Sequence, residues 1–417
     1  MSNMMKIDEL IHLQNPWFRD GGFLPKELKL PKREIFHSLY REITELNQVI
    51  SLTGLRRVGK STILRQIIGT LIQKNQKKLL YFSFDEPLIQ EQTAVLEEVI
   101  NYFIKNILQK DVNKIKEKTY LFFDEIQIIP YWQDIIKRYY DINQNLKFIV
   151  SGSSSLFIRK DSKESLAGRI FERHLPPLNY QEYCLLSGRK DTIEFLKFGQ
   201  FPEILQFPGL DKKIEYLKEG IVRKVVEVDI PKIMKLRKQY NFERLFWSLL
   251  PNTGQIIETG KLMHDLSIKK ASLFNYLKLL ENALLYNKVI NYSGSFRSEK
   301  RLLRKYYPTS SNFLMLIPDT VNIGFFVESY VAGILNSKSK GLYLYKDRNR
   351  EIDFILPERK LAVEVKYQET IHPSDYEILQ KFCRERKYKG LMVTKKPQNI
   401  KDENISNTTL ETIHEII

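Results

Sequence analysis

Short apolar runs alternate with helical stripes through the first third of the chain. Gln48 to Leu52 reads as a buried strand, and from Ser61 onward Ile63, Ile67 and Leu71 recur on one side of a helix. KLLYFSFDEP (Lys78 to Pro87), YLFFDE (Tyr120 to Glu125) and KFIVSGSSS (Lys147 to Ser155) read as three further strands. Four strands with helical connections predict a doubly wound parallel α/β sheet that holds its ligand at the strands' C-terminal ends. From Asn241 to about Ser310 the pattern turns helical three times: FERLFWSLLPNTG, ETGKLMHDLS and KKASLFNYLKLLENALLY, with a tight turn at Ser267–Lys269. In the third helix Leu273, Tyr276, Leu277, Leu280 and Leu284 form the apolar face, which leaves Lys270, Ser272, Asn275 and Lys278 outward. Two β runs follow, KVINYS and RKYYPTS, on either side of a basic tip, RSEKRLLR. The C-terminal part returns to α/β. It has a helix carrying Glu328, three strands (GLYLYKD, REIDFIL, LAVEVKY), a helix (PSDYEILQKFCRER) and a last strand (KGLMVTKK).

With 417 residues and 43% apolar content, the chain has room for several folded domains. No apolar run is as long as a membrane span, and MSNMMKIDELIHLQ lacks the apolar segment of a signal peptide. Cys184 and Cys383 are lone and distant, and the six histidines are scattered, which excludes a disulfide framework and a thiolate zinc site. A reducing cytoplasm is the expected location, with no membrane partner. The formal charge of +16 is uneven: between Ile230 and Ser310 fifteen Lys or Arg stand against five Asp or Glu, a net of +10. Such an excess suits a polyanion such as DNA, although a Lys-rich solvated surface would give the same count.

Gly54, Leu55, Arg56, Arg57, Val58, Gly59, Lys60 and Ser61, followed by Thr62, fit the G-x-x-x-x-G-K-S phosphate loop between a strand and a helix. The glycines let backbone N–H groups face phosphate, and the helix N-terminus adds positive potential. Lys60 can reach the β- and γ-phosphates of ATP, and Ser61 can ligate Mg²⁺. In the later acidic strand, Asp124 would complete the Mg²⁺ shell and Glu125 would act as general base on the attacking water. Ser153, at the end of the next strand, is the candidate γ-phosphate sensor.

A strand between the P-loop strand and the acidic strand, with a glutamate beside the metal aspartate, resembles the AAA-type branch of P-loop ATPases. SLAGRIFERHLPPLNYQEY (Ser165 to Tyr183), GQFPEIL, NPWF and PKREIF resemble a largely archaeal and bacterial AAA-superfamily family whose members carry a C-terminal nuclease-like domain. The resemblance implies ATP as the nucleotide and Arg169 as a γ-phosphate or arginine-finger candidate. Arg173 competes for that role, and a structural ion pair is open for either. A finger acting in trans would require a homo-oligomer.

The three helices and basic hairpin resemble a winged helix-turn-helix, whose third helix enters the major groove while the wing touches phosphate. A lid or protein-docking role is the alternative. The order α-β-β-β-α-β, with Asp353 and then Glu364-x-Lys366, resembles the PD-(D/E)xK nuclease core, with Ile352 at the motif's proline position. Glu364 and Lys366 share a strand face, while Leu361, Val363, Val365 and Tyr367 take the other, buried one. On that resemblance Glu328, Asp353 and Glu364 would hold Mg²⁺ or Mn²⁺, and Lys366 would orient or activate water. A salt-bridge cluster in an inactive scaffold is the alternative. The expected organisation is an N-terminal arm (1–30), an AAA-type P-loop domain (31–185), a helical lid or linker (186–240), a winged helix (241–310) and a nuclease-like domain (311–417). The expected function is an ATPase associated with DNA; a nucleotide-dependent switch for a protein partner is the other reading.

Overall fold

Five parallel strands lie in the order β2-β3-β4-β1-β5: β1 (Val49–Gly54), β2 (Leu79–Ser83), β3 (Thr119–Asp124), β4 (Leu146–Ser153) and β5 (Ile170–His174). This is a computed structural model, and it describes residues 6–86, 94–153, 166–233, 239–292, 303–317, 321–339, 341–348 and 350–417. The chain divides into two units, Met1–Leu175 and Pro176–Ile417. In the first unit, β1, β3 and β4 are buried throughout, as expected for parallel strands covered on both faces. Helices α1 (Ile7–Gln14), α2 (Phe36–Glu45), α3 (Lys60–Gln73), α4 (Ala94–Tyr102) and α5 (Trp132–Ile142) supply the cover. Leu10 and Ile11 of α1 join Phe82, Phe123, Ile136 and Phe148 in one apolar core.

The four strands predicted from sequence are present, and β4 separates the P-loop strand from the acidic strand. The fifth, β5, is an edge strand only partly buried along its length, so its sequence carries no continuous apolar run. Residues 6–30, the described part of the expected arm, pack against the sheet. Their α1 and the residues after it seal the other edge of the sheet. The Asn15 side chain exchanges two 2.7 Å bonds with the Tyr81 backbone, and Gln14 bonds Ser83 N at 2.7 Å and Ser83 O at 3.3 Å. Trp17 Nε1 donates to Leu79 O at 3.2 Å. Carboxamide side chains thereby satisfy β2 as a further strand would, which protects an edge prone to misassociation. Asn15 is fully buried. Asn15→Ala therefore leaves the Tyr81 N–H and carbonyl unpaired and should cost about 1–3 kcal/mol in urea unfolding; a change below about 0.5 kcal/mol would assign the edge to Gln14 and Trp17 alone.

The second unit begins with α6 (Tyr180–Ser187) and α7 (Thr192–Phe198). Asn179 and Glu182 start α6 with a reciprocal capping box. A helical stretch follows through Leu210–Glu215, the wide-turned Tyr216–Asp229 and Ile230–Ile233. Then come α8 (Gln239–Leu249), α9 (Thr259–Asp265), α10 (Lys270–Asn282), β6 (Tyr286–Asn291) and β7 (Arg304–Pro308). The C-terminal part contributes α11 (Ile323–Ser337), β8 (Tyr343–Asp347), β9 (Arg350–Leu356), β10 (Leu361–Lys366), α12 (Pro373–Arg386), β11 (Lys389–Thr394) and β12 (Ile405–Thr409). The strand order is β12-β11-β10-β9-β8-β6-β7.

Two expectations are corrected by that order. The β6–β7 hairpin is not a free-standing wing, because β6 pairs in parallel with β8 (Ile290 with Tyr343) and extends the C-terminal sheet. Tyr306 and Tyr307 of β7 are almost wholly buried and closed to phosphate, while Arg304 at the start of the strand is half-buried, and the expected boundary at 310/311 falls inside one sheet unit. Residues 297–302 of the tip, Arg301 among them, lie outside the described residues. Leu284 also falls beyond α10, with φ +56°, so the buried face of that helix is Leu273, Tyr276, Leu277, Leu279 and Leu280. In β10 Glu364 and Lys366 share a face as expected, and both faces of the strand are covered: Ala362, Val363, Glu364 and Val365 are all buried. A central strand packed by both α11 and α12 has no solvent face.

Candidate functional site

The phosphate loop curls from the end of β1 into the first turn of α3. Gly54 sits where β5 leaves the sheet; a Cβ there would meet the Leu175 carbonyl oxygen at 2.5 Å, so only glycine fits. Gly59 turns the loop into the helix with φ +99°, in the left-handed region open to glycine. Arg57, exposed, also takes a positive φ of 67°. Lys60 is buried inside the curl, and its Nζ donates to the carbonyls of Gly54 (3.1 Å) and Leu55 (3.0 Å). Ser61 and Thr62 occupy the first turn of α3. Arg33, from the segment before α2, donates from Nη1 to Val58 O at 2.9 Å and braces the loop.

Asp124 ends β3 with both carboxylate oxygens engaged. Tyr81 of β2 donates to Oδ2 at 3.0 Å, while Ser151 of β4 and the Glu125 N–H donate to Oδ1. Arg65 of α3 lies over the Tyr81 ring and pairs with Glu27. Asp124, the expected metal aspartate, is thus held by Tyr81 of β2, Ser151 of β4 and the N–H that follows it. Glu125 takes a left-handed conformation (φ +54°, ψ 37°), a strained geometry for a non-glycine residue. Burial pushes its carboxyl above the ordinary range; the Lys60 ammonium opposes that rise and Asp124 adds to it. Lys60, Asp124 and Glu125 therefore share one electrostatic environment. Gln127 bonds the Glu125 carboxylate and reaches Ser153 Oγ at 3.4 Å, which ties the expected sensor to the expected base.

Both arginines are engaged in ion pairs. Arg169 pairs with Asp141 at 2.9 Å, and its carbonyl accepts from Val49 at the start of β1. Gly54 lies at the far end of that strand, roughly 16 Å away at the strand rise per residue. Arg173 is clamped by Glu42 through Nε and Nη2. His174, beside Thr53 in the sheet, was not singled out by any motif. Burial, reinforced by Lys60, lowers its pKa to about 4, so a neutral imidazole lies near the loop. Arg33, Tyr81, Ser151 and His174 escaped sequence reasoning because each reaches the site only through tertiary packing; Gln127, two residues after Glu125, comes back to it through a local turn that no motif marks.

In the second unit the structure brings Glu328, Asp353, Glu364 and Lys366 into one cluster, with Glu364 buried and the other three half-buried. Asp353 N donates to Glu364 Oε2 at 3.4 Å, Val365 N donates to Asp353 Oδ2 at 2.9 Å, and Lys366 Nζ lies 2.9 Å from Glu364 Oε1. Tyr307 donates to Glu328 Oε2 at 3.2 Å. Lys305 of β7, which no motif marked, is buried, pairs with Glu351, and is held above its ordinary pKa against the cost of burial by Asp353, Glu351 and Glu328. Burial, with Asp353 next, pushes both Glu328 and Glu364 up to about 8. Gly254 (φ +71°) closes over this cluster, and a Cβ there would lie 2.9 Å from Glu328 Oε2.

The expected C-terminal metal set of Glu328, Asp353 and Glu364 finds no support here. Among the described residues no group of three or more His, Cys, Asp or Glu is placed to hold a metal ion. Two backbone N–H groups, a phenol and two ammonium groups already serve the carboxylates of the cluster. On α10, Lys270, Asn275 and Lys278 are exposed as expected, and Arg304 stacks on Phe274 with its guanidinium 5.0 Å from the ring centre.

Comparison with known proteins agrees with the P-loop geometry. Residues 46–184 match the model of an AAA domain, whereas 189–309 and 323–413 match two domains of unknown function (DUF8612 and DUF4143). An uncharacterized protein of Methanocaldococcus jannaschii, MJ1544, is 28% identical over 393 residues, covering 88% of this chain and 82% of that protein. A second one, MJ1637, is 25% identical over 397 residues, covering 83% and 80%. Among solved structures, the Walker-type ATPase PABY2304 of Pyrococcus abyssi is similar over 70% of this chain and 97% of its own, with 17% identity and a TM-score of 0.44. Residues 46–184 are thus similar to an AAA domain, in a chain of α/β class. No helix among the described residues is long and apolar enough to cross a membrane.

Proposed function

We propose that the chain is an ATP hydrolase in which Lys60 holds the phosphates and Glu125 removes a proton from the attacking water. The observation that carries this reading is the placement of Glu125, half-buried and conformationally strained, within the field of Lys60 and directly after Asp124. Perturbed carboxyls in such a setting suit general-base work. Backbone N–H groups of Gly54 to Thr62 would cradle the phosphates. Ser61 and Asp124, hard oxygen donors on two elements of one crevice, fit Mg²⁺, which neutralises phosphate charge when bound. Ser153, tied to Glu125 through Gln127, would report the γ-phosphate. Phosphate release from ATP by the full chain tests the reading, with Lys60→Ala as the control.

DNA association is the second part of the proposal. It rests on the +10 segment between Ile230 and Ser310 and on the exposed face of α10. Replacing Lys270, Lys278 and Arg304 together by Gln should weaken duplex binding. The slope of log affinity against log salt should flatten by up to ~0.9 for each phosphate no longer neutralised. Fluorescence anisotropy across a salt series measures this, and an unaltered slope would move the function of α10 to a lid or a protein partner. In the C-terminal unit, the compensation of Glu328, Asp353 and Glu364 by Lys305 and Lys366 favours a scaffold over a metal-dependent nuclease. A nucleotide-dependent switch acting on a partner is compatible with that scaffold.

A further inference from the structure

We propose that Gln127 is a catalytic residue of this ATPase: its amide nitrogen fixes the Glu125 carboxylate, and its amide oxygen accepts the second hydrogen of the attacking water. The inference rests on the ATP-hydrolase reading above. Gln127 lies in the short turn Ile126–Ile128 immediately after Glu125, and the turn is pinned by the buried Ile126 and Ile129. Its Nε2 donates to Glu125 Oε2 and, at 3.4 Å, to Ser153 Oγ. Its Oε1 is buried and has no hydrogen-bond partner among the described residues. Exchanging the amide oxygen and nitrogen would set an acceptor against the carboxylate, so the network fixes the orientation. A buried acceptor without a donor is costly, and one beside a general base points to a ligand that supplies the donor.

The chemistry of the site narrows that ligand. The terminal phosphates of ATP offer acceptors, and the nucleotide's own donors lie at its base and sugar, away from the Lys60 end. Water carries two donors. With one hydrogen on Glu125 and the other on Gln127 Oε1, its remaining lone pair is free to face the γ-phosphorus. In the step that follows, the water oxygen forms a bond to the γ-phosphorus while the bond from that phosphorus to the β–γ bridging oxygen breaks. The bridging oxygen keeps the electron pair and leaves with ADP. One water proton passes to Glu125; the other stays on the new phosphate, bonded to Gln127. Glu125 supplies basicity, and Gln127 supplies direction.

The test uses the full chain with ATP and Mg²⁺, measuring phosphate release and fluorescent-nucleotide binding for wild type, Gln127→Leu, Gln127→Asn and Glu125→Gln. Leucine keeps the volume without either polar atom, and should lower kcat about 30-fold with KM within about twofold, the scale of a mispositioned reactant. Asparagine keeps both groups but withdraws them by one methylene, and should fall between leucine and wild type. The double variant Gln127→Leu/Glu125→Gln should be no slower than Glu125→Gln alone, because both residues act on one water. A structural role would instead lower nucleotide binding and slow the double variant further. Wild-type kcat in Gln127→Leu overturns the proposal; should leucine not fold, wild-type kcat in Gln127→Asn does the same. A wild-type chain without turnover overturns the ATPase reading and this inference together.

Discussion

Glu125→Gln should bind ATP as tightly as the wild-type chain and release phosphate at least ~100-fold more slowly, the usual scale for a lost general base. The substitution preserves volume and leaves Lys60 and Asp124 in place, so the loop that would hold the phosphates is untouched. What disappears is the only part of the amino acid that can take a proton. Lys60→Ala has the opposite signature. It removes the ammonium inside the loop curl, and nucleotide binding should be lost along with turnover. Fluorescent-nucleotide titration and phosphate release separate the two outcomes. Normal turnover in Glu125→Gln would place the base elsewhere, despite the burial and strain of this side chain.

Lys305→Met should destabilise the second unit by about 3–5 kcal/mol, because it strands buried carboxylates without their cation. Lys305 is 5% exposed, bonds Glu351 and faces Asp353 and Glu328. The loss should depend on pH in a defined direction. Glu328 and Glu364 titrate near 8 in the folded chain, above the ordinary 4.5, so the folded state holds protons that the unfolded chain releases in between. Their contribution is complete below about pH 4.5 and disappears as pH rises through about 8. Lys305→Met should accordingly be mildest near pH 5 and most damaging near pH 8.5. Urea unfolding at both values measures it; equal losses at the two would mean that Lys305 acts by packing and not by charge.

The parts of this protein legible in its sequence are those set by neighbours in the chain. Gly54 to Ser61 declares a phosphate loop because its spacing is local, and Tyr120 to Glu125 declares an acidic strand for the same reason. The order of C-terminal elements was legible too, and so was the meeting of Asp353 with Glu364, since a hairpin determines its own register. The rest depends on contacts distant in sequence. Asn15 reads as a loop residue until Tyr81 is found beside it, and β5 has too few apolar positions to stand out at an edge. The burial of Glu364 follows from β10 lying between β9 and β11 under α11 and α12, which its own alternating pattern does not report. The β6–β7 hairpin looked like a wing because nothing in its residues announces the pairing of Ile290 with Tyr343. Lys305, carried on that hairpin, turned an expected metal cluster into a charge-compensated one.

The most direct test of the central claim is steady-state phosphate release by the purified full chain with ATP and Mg²⁺, set against Lys60→Ala under identical conditions. The account predicts turnover in the wild type that saturates with ATP and falls to background in the variant. Phosphate release that is absent from the wild type, or equal in the two proteins, would contradict it.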